Sequence, residues 1–421
     1  MDVIVSPSSV EGETRAPPSK SYTHRALFAS LLADGRSVIL DPLVSSDTEA
    51  TIDAVRLYGA RLSWGRERIE VTPEGLRAPR LVYSRGSGTT IRIASAVAAL
   101  LEEPVTLYGN ESLNKRPMGP LMRALKELGA EVSCSRACTP PVTVKGFNWK
   151  PRTRIVSVDA SISSQFVTAL LIISPLLELE LLVEGRIRSR PYIDVTLSVL
   201  EAYGLRVERE GYRRFRVKGE YRPRHYSVPG DYSSASFILA AGALAGRVLV
   251  RGLKQFDPQG DRAILEILAS MGAKVRVGSD WVLVENTGGL EAIEADLADY
   301  PDLAPIVSVL AAYARGQTVL TGIGHLAYKE SNRVEAIVGN LRRIGVEASV
   351  KDPETLVIKG GGARGGTVVS YGDHRIAMSF AVAGLRARKG VKILGVDCVR
   401  DSYPGFLRDL SSIGANIETI T

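Results

Sequence analysis

The chain has 421 residues, of which 45% are hydrophobic and 24% charged, and its formal net charge is +7. This length exceeds the usual span of a single hydrophobic core and predicts two domains. No run of about 18 apolar residues lacks polar breaks, and the N-terminal MDVIVSPSSVEGETR lacks the basic start and apolar core of a signal peptide. We therefore expect a cytoplasmic protein without a membrane partner.

Helical patterns recur along the chain in two interleaved sets of six, with the members of each set about 70 residues apart. Each member of the first set ends in an apolar residue and a glycine, followed by β-branched residues. Such a glycine predicts a left-handed C-cap, and the residues after it predict a strand. The six glycines are Gly59, Gly129, Gly204, Gly272, Gly345 and Gly414.

The second set is rich in small and apolar residues, which predicts buried helices. Its members open with polar residues near Ser19, Ser87, Ser161, Asp231, Tyr300 and Gly372. Together the two sets predict six structural units, each made of strands plus two helices.

Polar and cationic side chains gather at the starts of the second set of helices. Helix N-termini attract anions through unpaired backbone N–H groups and a partial positive charge, so convergence of these starts predicts a site for small anions. The side chains concerned are Lys20, Ser21 and Arg25, then Ser161, Ser163, Ser164 and Gln165, then Asp302, and finally Asp373, His374 and Arg375. The segment 86–90 adds Gly88, which permits close backbone approach to a ligand.

Three starts in the first set extend this pattern: Lys115-Arg116-Pro117, Ser189-Arg190-Pro191-Tyr192 and Lys329-Glu330-Ser331-Asn332-Arg333. We predict both prolines in a first helical turn, and Lys329 and Arg333 on one helix face beside Glu330. Taken singly, each motif is more typical of a capped surface helix, a turn or a solvated face. Their recurrence at corresponding ends of repeated units favours a shared site.

Asp302 and Glu330 stand out against this cationic background. They are interpreted as acid/base groups acting on an anionic substrate, with a structural charge pair as the alternative. No Ser-His-Asp spacing, nucleophile elbow, Walker loop or zinc motif occurs. The residues alone therefore predict an enzyme that binds one or two small polyanions and transfers protons without a covalent nucleophile.

Two further features bear on partners. The basic clusters at 212–216 and 221–225 are predicted on an edge strand, where solvated charges prevent edge pairing, and we expect no nucleic-acid partner. Three cysteines predict no disulfide framework. Cys134 and Cys138, without a nearby His or third Cys, are interpreted as loop thiols rather than metal ligands.

At these motifs the chain resembles the 5-enolpyruvylshikimate-3-phosphate synthase family, the 3-phosphoshikimate 1-carboxyvinyltransferases. The resemblance rests on eight motifs in the family's order from about residue 1 to the C-terminus: PSKSYTHRALFASLLADG, GSGTTIR, LNKRPMGPL, SSQFVTALL, SRPYIDVTL, GDYSSASFILAA, YKESNRVEAI and YGDHRIAMSFAVAGL.

The resemblance implies an α/β fold of two similar domains, an inside-out barrel of six βαβαββ units. Residues 19–229 would form one domain, residues 1–18 with 230–421 the other, and the active site would lie in the cleft between them. It also implies transfer of the enolpyruvyl group of phosphoenolpyruvate to the 5-hydroxyl of shikimate 3-phosphate, with release of phosphate. A monomer without metal or organic cofactor is expected.

The resemblance also implies site residues. Shikimate 3-phosphate would be held by Lys20, Ser21, Arg25, Ser163, Ser164, Gln165, Ser189, Tyr192, Asp302 and Lys329. Phosphoenolpyruvate would be held by Lys20, Gly88, Arg116, Gln165, Arg333 and Arg375. The expected catalytic groups are Asp302 as base near the hydroxyl, Glu330 serving the methylene carbon, and Lys20 at the bridging oxygen.

The chain departs from the family pattern at several positions. Gly86 stands where many members have Asn, Ile93 where Pro is frequent, and Asp401 where a Lys often contacts phosphoenolpyruvate, with Arg400 as a possible substitute. Retention of Gly88 predicts sensitivity to glyphosate.

Three alternatives stay open at this point. A UDP-N-acetylglucosamine enolpyruvyl transferase would share the fold, but the loop YGNESLNKRPM lacks its usual cysteine. An RNA-end-processing enzyme would use His374 as nucleophile. A non-catalytic nucleic-acid-binding or scaffold protein would account for the net charge.

Overall fold

The computed structural model describes residues 1–65 and 67–420. Over these residues the chain divides into two compact units, one formed by 1–17 with 229–421 and the other by 18–228. We call them unit 1 and unit 2. Each unit has a separate hydrophobic core. The chain begins in unit 1 with two strands, β1 (Asp2–Ser6) and β2 (Val10–Arg15).

Unit 2 contains six helices and twelve strands among its described residues. The helices are α1 (Lys20–Leu32), α2 (Ser46–Leu57), α3 (Gly88–Ala98), α4 (Gly119–Leu128), α5 (Gln165–Leu177) and α6 (Pro191–Ala202). The strands are β3 (Ser37–Leu40), β4 (Ala60–Gly65), β5 (Arg68–Pro73), β6 (Leu81–Tyr83), β7 (Val105–Tyr108), β8 (Glu131–Ser133), β9 (Val142–Lys145), β10 (Ile155–Asp159), β11 (Glu180–Glu184), β12 (Arg206–Glu210), β13 (Arg214–Lys218) and β14 (His225–Ser227).

The remainder of unit 1 follows the same alternation of helices and strands. Its helices are α7 (Tyr232–Ala245), α8 (Ile264–Ser270), α9 (Ala304–Tyr313), α10 (Arg333–Arg343), α11 (His374–Gly384) and α12 (Phe406–Ser412). Its strands are β15 (Gly246–Arg251), β16 (Lys274–Val277), β17 (Trp281–Glu285), β18 (Leu290–Glu291), β19 (Glu294–Asp296), β20 (Ala314–Arg315), β21 (Gln317–Thr321), β22 (Glu347–Asp352), β23 (Thr355–Lys359), β24 (Gly366–Val369), β25 (Val391–Leu394) and β26 (Asn416–Ile420).

Six four-stranded sheets share one pattern across the described residues, a parallel pair followed by two antiparallel pairs. In the sheet β10-β11-β13-β12, for example, β10 and β11 are parallel, while β13 is antiparallel to both β11 and β12. In unit 1 the N-terminal strands complete two such sheets. Strand β1 lies between β25 and β26, and β2 pairs with β15.

The predicted glycine caps are confirmed. All six glycines have positive φ, between 86° at Gly345 and 112° at Gly59. This backbone conformation is open to glycine without a Cβ penalty. Each glycine lies within three residues after a helix and directly before the next strand or one residue from it.

The second predicted set is confirmed as six buried helices, α1, α3, α5, α7, α9 and α11. Every residue of α7 is buried, and α11 is buried from His374 to Gly384. Helices α7, α9 and α11 contact one another within unit 1, and α3 contacts both α1 and α5 within unit 2. Apolar packing on all sides thus fixes where the polar first turns of these helices lie. No helix in 1–65 or 67–420 is long and apolar enough to cross a membrane.

Candidate functional site

The polar cluster of unit 1 is built around the guanidinium of Arg333, the first residue of α10. Its Nη1 lies 2.7 Å from Asp302 Oδ1, its Nη2 2.7 Å from Glu330 Oε2, and its Nε 2.8 Å from Asp373 Oδ2. Arg333 is 0% exposed. A buried guanidinium needs such neutralisation, because an unpaired buried charge is costly. We call these four residues the Arg333 cluster.

Arg375 extends the cluster from the first turn of α11. Its Nη2 lies 3.1 Å from Asp302 Oδ2, so the two oxygens of Asp302 contact two different guanidinium groups. Asp373 caps α11 by accepting a hydrogen bond from the backbone N–H of Arg375. The start of α11 is therefore tied to the segment before α9, as convergence of the helix starts predicts.

Electrostatics keep Asp302 ionised. Burial alone would raise the pKa of Asp302. The charges of Arg375, Arg333 and Lys329 outweigh burial and hold the pKa of this carboxyl well below its usual range. Asp302 is thus a carboxylate whose basicity is suppressed by surrounding cations.

Asp261 is a second buried carboxyl of unit 1, and the sequence reasoning did not find it. It accepts a hydrogen bond from the Ser233 hydroxyl at the first turn of α7. Burial, followed by the charge of Asp302, raises the pKa of Asp261 to about 7. The one available signal was its place in PQGD, just before a helix.

Replacing Asp261 by Asn is expected to change how stability depends on pH. The folded pKa of about 7 exceeds the ordinary 3.8, so between these values the unfolded chain releases a proton that the folded protein retains. Stability must then fall as pH rises through this range. The parent loses this stability as pH rises and Asp261→Asn does not. The free energy of unfolding of the variant minus that of the parent should therefore increase by about 1–3 kcal/mol from pH 5 to pH 8. Urea titrations at both pH values measure this gain. The exposed Asp34→Asn should show none, and an equal difference at both pH values for Asp261→Asn would contradict the prediction.

In unit 2 the start of α3 is enclosed by side chains from two neighbouring segments. A Cβ placed on Gly88 would lie 2.9 Å from Arg92 Nη1, 3.3 Å from Arg116 Nη1 and 3.3 Å from Gln165 Oε1. Gln165 also donates to Thr89 Oγ1 at 3.0 Å. Gly88, Arg116 and Gln165 are therefore brought together, and the two guanidinium groups make this a cationic site.

We call Gly88, Arg92, Arg116 and Gln165 the Gly88 cluster. Arg92 is the member that the sequence reasoning missed. It donates to Gln165 Oε1, and its guanidinium lies 5.1 Å from the centre of the Phe166 ring. The signal was present, because Arg92 follows Gly88 by four residues and so lies on the same helix face.

Lys20, the first residue of α1, forms an ion pair of 2.9 Å with Asp47 Oδ2 at the start of α2. A Cβ on Gly86 would lie 3.8 Å from Asp47 Oδ1 and 3.2 Å from the Nδ2 of Asn110. Asn110, in the loop after β7, thus places its amide side chain beside Gly86.

Arg25 is 1% exposed and ties α1 to α5 and α6. Its Nε donates to Thr196 Oγ1 at 2.8 Å, its Nη1 to the Ser21 carbonyl at 2.8 Å, and its Nη2 to Thr168 Oγ1 and the Tyr192 carbonyl. Burial lowers the pKa of Arg25 to about 10. These four bonds leave one Nη1 hydrogen for a ligand.

The remaining predicted residues of unit 2 lie at the starts of α5 and α6. Ser164 is the N-cap position of α5, and Ser163 Oγ accepts from the backbone N–H of Gln165 at 3.2 Å. Ser189 precedes α6 with φ +56°, a left-handed backbone that is costly for a residue other than glycine and is concentrated at functional sites. Tyr192 lies in the first turn of α6, which begins two residues after Ser189.

Two predictions about helix starts are wrong. Pro117 lies outside α4, which begins at Gly119 and carries Pro120 in its first turn instead. Lys329 does not share a helix face with Arg333. It ends the short 3-10 helix Gly324–Tyr328, whereas α10 begins at Arg333. The Asn332 side chain caps α10, so the helix starts one residue after this cap.

The edge-strand and thiol predictions also need correction. Strand β13, which carries Arg214 and Arg216, lies between β11 and β12, and both arginines pair with Glu180 on β11. Of the second cluster, only His225 belongs to a strand, the edge strand β14. Cys134 and Cys138 form a disulfide, because the turn closed by Cys138 N–H to the Ser135 carbonyl brings their Cα atoms to 5.1 Å.

The C-terminal positions that depart from the family pattern lie in the 3-10 helix Val396–Asp401. Arg400 is exposed, and its charge acts on Asp397 beside the N-terminal amine.

Comparisons with known proteins agree over nearly the whole chain. A family model described as EPSP synthase (3-phosphoshikimate 1-carboxyvinyltransferase) matches residues 4–410. A protein named 3-phosphoshikimate 1-carboxyvinyltransferase from Aeropyrum pernix is 55% identical over 418 residues, covering 99% of this chain and 97% of that protein. One of the same name from Methanothermobacter thermautotrophicus is 43% identical over 425 residues, covering 99% of each. The solved EPSP synthase of Acinetobacter baumannii matches with a TM-score of 0.82 at 27% identity and covers 100% of both chains.

Proposed function

The chain belongs to the EPSP synthase (3-phosphoshikimate 1-carboxyvinyltransferase) family, and from this premise we propose how its two clusters carry out the family's transfer. The chain is a transferase of the shikimate pathway, which serves aromatic amino acid biosynthesis. The enolpyruvyl group of phosphoenolpyruvate passes to the 5-hydroxyl of shikimate 3-phosphate, and phosphate leaves. The alternatives of a UDP-N-acetylglucosamine enolpyruvyl transferase, an RNA-end-processing enzyme or a non-catalytic binding protein are set aside by the family match.

The proposal includes the architecture of six βαβαββ units arranged as an inside-out barrel. Its support is the common pairing pattern of the six four-stranded sheets and the six glycine caps at corresponding helix ends. A monomer without nucleic-acid partner is part of the same proposal, and light scattering with and without added RNA tests it.

Shikimate 3-phosphate is proposed to bind at the starts of α1, α5 and α6 in unit 2. The Ser163 and Ser164 hydroxyls and the N-terminus of α5 suit its phosphate, because helix N-termini favour anions. The remaining Nη1 hydrogen of Arg25 suits its carboxylate. The other residues proposed here are Ser21, Gln165, Ser189 and Tyr192, with Lys20, Asp302 and Lys329 near the reacting hydroxyl.

Phosphoenolpyruvate is proposed to bind at the Gly88 cluster, to Arg116 and Gln165, with Lys20, Arg333 and Arg375. Guanidinium groups match the phosphate and carboxylate of this ligand in forked geometry. We add Arg92 to the set, since its Nη1 is the atom closest to the position of a Gly88 Cβ. The Asn110 amide beside Gly86 would supply the hydrogen bond that an Asn at position 86 would otherwise make.

The proton transfers are proposed for Asp302, Glu330 and Lys20. Asp302 would take the proton of the 5-hydroxyl while the methylene carbon gains one, and Glu330 would serve that carbon. Lys20 would stabilise the bridging oxygen. Anionic substrates that neutralise Arg375, Arg333 and Lys329 would remove the charges that suppress the basicity of Asp302, so substrate binding itself would raise its pKa toward a useful range.

The observation that carries this mechanism is the Asp302 carboxyl group held between Arg333 and Arg375. Phosphate release tests the overall reaction when phosphoenolpyruvate and shikimate 3-phosphate are supplied separately and then together. Release only with both present is the expected result. Release when UDP-N-acetylglucosamine replaces shikimate 3-phosphate would move the chain to the sister activity.

Gly88→Ala is expected to raise KM for phosphoenolpyruvate about tenfold or more with a smaller change in kcat. The added methyl group would meet Arg92 at 2.9 Å and Arg116 and Gln165 at 3.3 Å, distances that force these side chains away. The variant should also lose sensitivity to glyphosate, if that inhibitor competes at this subsite as the family resemblance implies. Steady-state kinetics with each substrate varied measures both effects. Gly339→Ala on α10, where the nearest atom is 3.9 Å from the added Cβ, is the matched control. An unchanged KM would place phosphoenolpyruvate elsewhere.

A further inference from the structure

A buried chain of hydrogen bonds connects α1, α2 and α3 in unit 2. His24 Nδ1 lies 2.6 Å from Thr51 Oγ1, and Thr51 Oγ1 lies 2.6 Å from Thr90 Oγ1. Thr90 Oγ1 donates to Ser87 Oγ at 2.7 Å. We call His24, Thr51, Thr90 and Ser87 the hydroxyl chain. Each of its four residues is at most 1% exposed.

The two ends of the hydroxyl chain adjoin proposed substrate-binding residues. Ser87 is the N-cap of α3, accepts from the Thr90 backbone N–H at 3.2 Å and directly precedes Gly88. At the other end, His24 lies one helical turn after Lys20 on α1. The hydroxyl chain therefore links the start of α1, which carries Lys20, to the start of α3, which carries Gly88.

The donor order along the chain is fixed by its terminal bond. Because Thr90 donates to Ser87, Thr51 must donate to Thr90, and Thr51 must accept from His24. Nδ1 of His24 therefore carries a proton. Its Nε2 is buried and has no hydrogen-bond partner among the described residues. Burial, with the charges of Lys20 and Arg25, lowers the pKa of His24 well below its ordinary 6.5.

A buried chain of hydrogen bonds of this kind specifies geometry more than it adds stability. Apolar residues of the same shape can replace both partners of a buried hydrogen bond at little cost, whereas the polar pairs fix one relative placement of the elements that they join. The helices here already pack through apolar residues such as Ala26, Ala54 and Ala94. The hydroxyl chain is thus in excess of what this packing needs.

We propose that the hydroxyl chain positions the start of α3 against α1, so that Gly88 and Lys20 keep the spacing that phosphoenolpyruvate requires. Its four members are positioning residues and do not contact the reacting atoms. The inference rests on the proposed function, because it assigns the hydroxyl chain to the phosphoenolpyruvate subsite rather than to the shikimate 3-phosphate subsite.

The test compares Thr51→Val, which removes the central hydroxyl while keeping the shape, with Thr51→Ser, which keeps the hydroxyl. We expect Thr51→Val to raise KM for phosphoenolpyruvate about tenfold, with kcat within about threefold and a clearly smaller change in KM for shikimate 3-phosphate, which Lys20 would contact only as one of many residues. Thr51→Ser should restore KM to within about threefold of the parent. Thr106→Val, which removes one hydroxyl of the Thr106–Thr143 pair between β7 and β9, is the control.

The outcomes separate this inference from the proposed function. A parent protein that releases no phosphate from the two substrates would refute the proposed function. An active parent in which Thr51→Val leaves both KM values unchanged, or shifts them equally, would refute the positioning role alone.

A second measurement does not depend on the variants folding. In the ¹⁵N spectrum of histidine-labelled parent protein at neutral pH, His24 should show a protonated Nδ1 and an unprotonated Nε2. A proton on Nε2 in place of Nδ1 would overturn the donor order on which the hydroxyl chain depends.

Discussion

Asp302→Asn is expected to lower kcat by roughly 10²–10⁴, the usual contribution of a positioned general base. The amide retains an oxygen that can accept from Arg333 Nη1, now 2.7 Å from Asp302 Oδ1, but it cannot take the hydroxyl proton. Binding should therefore change less than turnover. Steady-state kinetics that separate kcat from KM, with phosphate release as the signal, measure the effect.

The exposed Asp280→Asn in the turn between β16 and β17 serves as the control for Asp302→Asn, since it removes the same charge from the same unit. It should leave kcat unchanged. If Asp302→Asn kept kcat within tenfold of the parent, Asp302 would not be the base, and Glu330 or Lys20 would have to take that proton.

Arg333→Met is expected to lower the free energy of unfolding by about 3–5 kcal/mol at neutral pH. The guanidinium is 0% exposed and neutralises Asp302, Glu330 and Asp373. Its removal leaves three carboxylates without that counter-charge. Urea unfolding, with intrinsic fluorescence as the signal, measures the loss.

The pH dependence of the Arg333→Met loss has a definite sign. Because the folded pKa of Asp302 is depressed below the ordinary 3.8, its pairing contributes stability above that pH and loses it as pH falls through the folded value. The difference between variant and parent should therefore shrink in acid.

Adding Asp373→Asn to Arg333→Met should recover part of the loss, since it removes one of the stranded charges. The exposed Arg388→Met should cost little, and an equal loss for both arginines would show that burial of Arg333 contributes nothing.

The sequence predicts local backbone features well, because single residues determine them. The glycines at 59, 129, 204, 272, 345 and 414 all have the left-handed backbone that the pattern predicts. The buried helices were likewise recognisable, since α7 and α11 carry almost no polar residue beyond their first turns. Repetition at a fixed spacing also predicts six units, an architecture that stays a proposal.

Features that depend on two distant segments were harder to predict. Asp261 becomes relevant because Asp302 and Ser233 come close to it, and Arg92 because Gln165 does. The turn that joins Cys134 to Cys138 depends on the backbone of Ser135, not on cysteine spacing alone. Strand β13 is interior because it pairs with both β11 and β12, and Glu180 on β11 pairs with its arginines. No local charge pattern reveals either contact.

Strand β1 also determines when unit 1 can be completed during translation. Its residues Asp2–Ser6 leave the ribosome long before both of its neighbours, β25 and β26, which lie within residues 391–420. Every strand of unit 2 lies between Ser37 and Ser227, so that unit can finish folding while unit 1 is still being synthesised. The nascent chain must therefore carry the apolar alternation DVIVS without its native partners until β25 and β26 have been made.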